Sequence, residues 1–145
     1  MQEQTTLRQI LENKEVDASY YLNDNQINKF NYLRGSKKIE RTSKLGIKYI
    51  YAEGAMSPTD SLDLPGRTML TSEGTVNRSS HIIQDPINNR KRFLTPIECE
   101  RLNQFPDNWT NTMLTSKRYF MMGNALVCGI IKKLGIELDK ITTKE

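Results

Sequence analysis

The six residues Leu94-Thr95-Pro96-Ile97-Glu98-Cys99 constrain this chain more tightly than any other stretch. Thr95 has the side chain of a helix N-cap, and Pro96 suits the first helical position, where its missing N–H has no helical partner anyway. Glu98 can reach back to the Thr95 amide as a capping box, while Leu94 and Cys99 stand where a hydrophobic staple would close over it. A helix therefore starts at Pro96, and Pro106 ends it.

Weaker patterns surround this anchor. Leu7, Ile10 and Leu11 follow Thr5 or Thr6 at helical spacing, which predicts a short helix over residues 6–14. Between Asp17 and Lys48 the pattern fades: Tyr20, Tyr21, Leu22, Ile27, Phe30, Tyr32 and Leu33 are expected to form a small core, and residues 34–38 a polar loop. Residues 47–51, 68–71 and 81–83 read as short strands separated by Gly, Pro, Ser and Asn turns. Leu126, Val127, Ile130, Ile131 and Leu134 mark one face of a last helix beginning near Asn124, with Lys132 and Lys133 opposite, Gly135 as its stop and a polar tail that frays. The expected class is α+β, a small irregular antiparallel sheet with short helices and a C-terminal amphipathic helix.

The 145 residues fit one ordinary domain, though 37% hydrophobic residues make a lean core. A net charge of +4 favours a polyanionic partner, since each phosphate neutralised releases condensed counterions. Cys99, Cys128 and the single histidine, His81, cannot assemble a zinc-ligand set, so metal chemistry is not expected. The polar opening Met1-Gln2-Glu3-Gln4-Thr5-Thr6 does not have the charged-then-apolar form of a leader, and no run of consecutive apolar residues is long enough to span a bilayer. The expected setting is the bacterial cytoplasm, with no membrane partner.

Three blocks in fixed order carry more. They are Pro65-Gly66-Arg67-Thr68-Met69-Leu70-Thr71-Ser72-Glu73-Gly74, then the run from Arg92 to Asp107 with its Arg101-Leu102-Asn103-Gln104-Phe105-Pro106-Asp107 wording, then Gly123-Asn124-Ala125-Leu126-Val127. From about Thr6 to Gly135 the chain resembles the C-terminal part of the DNA cytosine-5 methyltransferases: their target-recognition region and last two motif blocks. Covalent chemistry at cytosine needs a thiolate, an assisting carboxyl group and a methyl donor seated against an α/β sheet. The family meets these needs with a Phe-x-Gly-x-Gly loop, a Pro-Cys nucleophile and a Glu-Asn-Val segment, none of which occurs here. Cys99 at its staple position and Cys128 on an apolar helix do not have the open, electropositive setting of a nucleophile.

The resemblance implies roles for particular residues. Asn124 and Ala125 would close the S-adenosylmethionine pocket opposite the Gly-rich loop of a catalytic partner, with Gly123 allowing close backbone approach and Asn124 also able to cap the last helix. Residues 67–80 would read DNA: Arg67 and Arg78 suit guanine edges or phosphates, Thr71, Ser72 and the Gly74 backbone suit either, and Glu73 can accept from a cytosine amino group. Arg92 is a candidate phosphate contact, and Arg101 a candidate internal ion pair or loop anchor.

By this reading residues 1–112 form a target-recognition domain, and residues 113–145 carry a helix that docks on a separate α/β catalytic domain. Because a target base must leave the stack while its neighbours stay in register, recognition and chemistry can sit on different chains. The leading expectation is the recognition and pocket-closing part of such an enzyme, a split subunit or a truncated product, inactive alone and partnered by double-stranded DNA and a Pro-Cys catalytic half. The alternatives are a non-catalytic, sequence-selective DNA-binding module and a protein-interaction domain resting on the last helix.

Overall fold

The computed structural model describes residues 4–143, so Met1, Gln2 and Glu3 of the polar opening, with Lys144 and Glu145, lie outside the described residues. The element order is α1 (Leu7–Ile10), a 3-10 turn (Ala18–Tyr20), α2 (Asp24–Arg34), β1 (Lys37–Thr42), β2 (Lys48–Glu53), β3 (Ile82–Gln84), β4 (Lys91–Phe93), α3 (Pro96–Leu102), α4 (Thr115–Asn124) and α5 (Cys128–Thr142). Two separate antiparallel ribbons, β1–β2 and β3–β4, take the place of one sheet, within the expected α+β class.

The anchor forms as its residues dictate. Thr95 accepts from the Glu98 N–H, the Glu98 carboxylate accepts from the Thr95 N–H, and Pro96 occupies the first turn of α3. Leu94 and Cys99 lie fully buried in one core with Leu7, Ile10, Met69, Ile83, Tyr119 and Met122. A second core joins Leu22, Phe30, Ile82 and Phe93, with the two phenylalanine rings edge to face at 5.8 Å. Tyr21, Leu22 and Phe30 are thus the core residues expected of the fading region, whereas Tyr32 stays exposed.

Several elements depart from the sequence expectations. Asn23 and Gln26 form a reciprocal capping box that starts α2, and Lys37 and Lys38, expected in a loop, open β1. Residues 68–71 pair with no strand, and β3 pairs instead with β4. The Gly123-Asn124 block closes α4 rather than opening the last helix, Ala125 and Val127 are extended, and α5 begins at Cys128 and continues through Gly135 to Thr142. Open space surrounds Gly135, and the apolar stripe runs on to Leu138 and Ile141.

By length and composition alone, Thr115–Thr142 reaches what a membrane-crossing helix needs, contrary to the sequence expectation. The break at residues 125–127 interrupts it, and lipid offers no partner for the backbone groups freed there. Tyr119 and Met122 lie in the same core as Leu7 and Ile10, so α4 belongs to the body. Helix α5 contains no fully buried residue, and it meets the body at its start, where the Cys128 N–H donates to the Asn103 carbonyl at 3.0 Å.

Candidate functional site

A groove of about 330 Å³ lies between α5, the end of α4 and residues 66–69, walled by Met69, Leu102, Met122, Ala125, Leu126 and Ile130 among others. Its shape follows from Gly123. A Cβ there would stand 2.4 Å from the Leu70 carbonyl carbon and the Thr71 nitrogen, so only glycine lets α4 meet this backbone. The close approach expected of Gly123 is therefore made to its own chain. Asn103, buried at the rim, donates from Nδ2 to the Met122 carbonyl at 2.8 Å and ties α3 to α4.

Of the two expected cofactor residues, Ala125 lines the groove, while exposed Asn124 donates from Nδ2 to the Phe120 carbonyl at 3.1 Å, back along α4. Asn124 does not cap α5, whose N-cap is Val127.

The recognition block is held mostly by its own side chains. Asp60 accepts from Arg67 Nε at 2.7 Å, Arg34 Nη2 at 3.0 Å and the Ile82 N–H at 2.9 Å. Burial works to raise the Asp60 carboxyl, but these three donors outweigh it and hold the group below its ordinary range. Arg67 also donates to the Ser79 and Ser80 carbonyls, and Arg78 to Glu53 and the Leu33 and Gly54 carbonyls. Both guanidiniums tie loops together.

Glu73 and Arg92 require correction. Glu73 is sealed from solvent, accepting from the His81 N–H at 2.6 Å and pairing with His81 Nδ1 at 3.1 Å, so it cannot meet a cytosine. The Arg67 N–H stands 3.0 Å from His81 Nε2, so the ring is held between this amide and the Glu73 carboxylate. Arg92 is likewise sealed, between Asp85 at 2.7 Å and Glu98 at 2.7 and 2.8 Å, and cannot touch a phosphate. Burial acts to lower its pKa, but the two carboxylates raise it further. Arg101 forms the expected anchor, bonding Asp107 through two nitrogens and the Ile10 and Leu11 carbonyls.

What remains open in the block is narrower. Thr71 is exposed and Ser72 and Gly74 are half-buried; Thr71 and Gly74 share a shallow concavity with Thr115, Ser116 and Lys117 at the start of α4. Gly74 has φ of +75°, and a Cβ would meet the Tyr119 ring at 2.4 Å, so this turn too admits only glycine. Tyr119 in turn donates to the Leu94 carbonyl at 2.6 Å, linking the turn to the α3 anchor. Cys99 is fully buried, which pushes its thiol well above the ordinary range and removes it as a nucleophile.

The β1–β2 ribbon is an exposed basic surface that the sequence reading passed over. Its register pairs Lys37 with Glu53 and Thr42 with Lys48, and no residue of either strand is buried. The signal was present in the density of lysine and aromatic residues over positions 37–53, but the missing alternation hid β1.

Two buried clusters, a pair of short antiparallel ribbons and five helices make up a mixed α+β fold. A family profile described as C-5 cytosine-specific DNA methylase matches residues 1–140, and the chain belongs to that family. It is 55% identical over 136 residues to the Type II methyltransferase M.Sau3AI of Staphylococcus aureus, covering 94% of this chain but 32% of that protein. Among solved structures it is similar to the Schizosaccharomyces pombe Dnmt2 methyltransferase (TM-score 0.62, 18% identity, 92% of this chain and 41% of that one). It is also similar to the Entamoeba histolytica methyltransferase EhMeth (TM-score 0.58, 17% identity, 92% and 40%). The chain thus spans about a third of the curated relative it matches.

Proposed function

We propose that this chain is the DNA-recognition and cofactor-pocket-closing part of a DNA cytosine-5 methyltransferase of the restriction-modification type, working with a catalytic half that brings the Pro-Cys nucleophile. The observation carrying this reading is the pairing of a family match along residues 1–140 with a last helix that, among the described residues, leaves its apolar stripe largely exposed. Ile130, Leu134, Leu138 and Ile141 of that stripe, and Leu126 just before the helix, are more than half exposed. Fully burying one such side chain contributes roughly 1.5–3 kcal/mol, so the stripe is a strong drive to dock. The relative's printed name, a Type II methyltransferase, supports the restriction-modification setting.

The methyl donor in this reading is S-adenosylmethionine, which supplies the methyl group when bound. The groove residues fit one wall of its pocket: Met69, Leu102, Ala125 and Ile130 offer an apolar surface for an adenine ring. Asn103 is already committed to Met122, and no carboxylate lines the groove to face a sulfonium, so the polar side of the pocket comes from the catalytic half. Ala125 contacts the cofactor, and Asn124, exposed beside it, meets the catalytic half or the donor. Double-stranded DNA lies across the face bearing Thr71, Ser72 and Gly74, with Arg67 and Arg78 fixing the shape of that face.

The test is complementation. Purified chain and a catalytic half carrying the Phe-x-Gly-x-Gly and Pro-Cys blocks are assayed, separately and mixed, for methyl transfer from S-adenosylmethionine to duplex DNA. Activity only in the mixture is expected; an inactive mixture with a stable complex present would refute the reading.

A further inference from the structure

The β1–β2 hairpin has no core to serve. Ile39, Tyr49 and Ile50 are exposed on its strands, and Leu45 and Ile47 at its tip, yet a two-stranded ribbon alone is marginally stable in water. Its root is tied firmly: Lys37 and Arg78 both pair with Glu53, and Arg78 reaches the Leu33 and Gly54 carbonyls. A ribbon fixed at its base and bare on both faces presents itself to something outside the chain.

Charge decides what that partner is. Residues 37–53 hold five cations (Lys37, Lys38, Arg41, Lys44 and Lys48) against Glu40 and Glu53, a net +3 within a chain of net +4. Lys48 is neutralised by Glu40 at 3.2 Å, but among the described residues Lys38 and Lys44 have no anionic partner. Arg41 stacks its guanidinium 4.0 Å over the Tyr51 ring, and the Tyr51 hydroxyl bonds to Glu53, so the fork of Arg41 is pre-oriented with its donors free. Six residues per strand make a ribbon about 20 Å long, and the major groove of B-DNA admits a two-stranded ribbon.

We propose that the β1–β2 hairpin is the element that enters the major groove of duplex DNA, with Arg41 reading a base edge and Lys38 and Lys44 meeting phosphates on either side. This rests on the recognition role proposed above and moves its specificity from residues 67–80, whose Arg67, Glu73 and Arg78 have internal partners, to residues 37–53.

The experiment selects a preferred duplex from a randomised pool with the full 145-residue chain, then measures binding of that duplex and a scrambled one across a salt series. Arg41→Lys keeps the charge but removes the fork, so the preference should fall about 5- to 150-fold while scrambled-duplex binding holds. Lys38→Ala with Lys44→Ala should weaken both duplexes alike and lower the salt slope by roughly two. These positions are exposed, so unfolding curves unchanged from the parent chain are the folding control. Retention of preference and slope in the hairpin variants, with loss in Thr71→Ala and Ser72→Ala, overturns the hairpin assignment and leaves the recognition role standing. No duplex binding by the unmodified chain at low salt overturns both. Loss of binding to the catalytic half, with DNA binding intact, would make the hairpin a protein contact and overturn the proposal.

Discussion

Arg92 holds Glu98 through two parallel hydrogen bonds, Nη1 to Oε2 at 2.7 Å and Nη2 to Oε1 at 2.8 Å, and both side chains are sealed from solvent. Glu98 also completes the capping box of α3, accepting from the Thr95 N–H at 2.8 Å and from the Glu12 N–H at 3.0 Å. One ion pair thereby joins β4, the start of α3 and the segment after α1. Because Asp85 sits on the opposite side of the same guanidinium, removing Arg92 would strand two buried carboxylates.

Arg92→Ala should accordingly destabilise the chain by about 3–5 kcal/mol, the cost of leaving buried charge unpaired. A domain of this size has little more than that in reserve. Arg92→Lys should recover only part, since an ammonium cannot bond Glu98 through a fork and still reach Asp85. Urea unfolding of the two variants measures this. A variant with parental stability and weaker DNA binding would return Arg92 to the phosphate role expected from sequence.

Acid should weaken the same framework. In Asp60, Asp85 and Glu100 burial works to raise the carboxyl, but bonded donors prevail in each and lower it: Arg67, the Ile82 N–H and Arg34 at Asp60; the Ile87 N–H, Arg92 and Tyr21 at Asp85; Thr110 and Arg118 at Glu100. A depressed folded-state pKa means the unfolded chain binds more protons in acid. The stabilisation is thus complete above the unfolded value of about 4 and is lost as pH falls through the folded values. Urea midpoints should hold steady from about pH 7 to 5 and drop below about pH 4, and Asp60→Asn should flatten that drop.

The contrast between Thr95 and Arg92 explains what was legible beforehand. The Thr95–Glu98 box is complete within four residues, so composition and spacing reveal it. The Asn23–Gln26 box is equally local and was readable too, but α2 buries only Phe30 and Arg34 and shows little apolar periodicity. Strand β1 was hidden because both its faces are wet, leaving no alternation to see. Residues 68–71 have strand composition yet pair with nothing, since the backbone at Leu70 and Thr71 lies against Gly123. At the site, Arg67, Glu73, Arg78 and Arg92 have the side chains of DNA contacts. Their internal partners, Asp60, His81, Glu53 and Asp85, are set by tertiary folding that charge and spacing do not encode.

Gly123→Ala offers a sharp test of the groove. The added methyl would meet backbone at 2.4 Å, which cannot swing aside as a side chain can. Overpacking of this kind costs about 1–3 kcal/mol. Thermal unfolding should show a lower midpoint, and the groove beside Ala125 should widen as α4 moves off residues 70–71. In the complemented enzyme the expected result is a raised KM for the methyl donor, while Gly135→Ala, inside α5 with open space around it, should leave the KM unchanged and not lower the midpoint.

The last prediction concerns α5. Ile130, Leu134, Leu138 and Ile141 are exposed and lie along a helix with no fully buried residue. Leu134 and Ile141 are both more than half exposed, so replacing them with Lys should leave the unfolding midpoint of the body, read through the Tyr119 and Met122 core, where it was. Self-association, followed by light scattering, should fall, because contiguous exposed apolar surface drives it. Binding to the catalytic half should weaken by at least an order of magnitude, since each buried aliphatic side chain is worth roughly 1.5–3 kcal/mol and a lysine ammonium resists burial. Lower body stability in the double variant would mean that α5 folds back on its own chain, and unchanged affinity for the catalytic half would remove the helix from that interface.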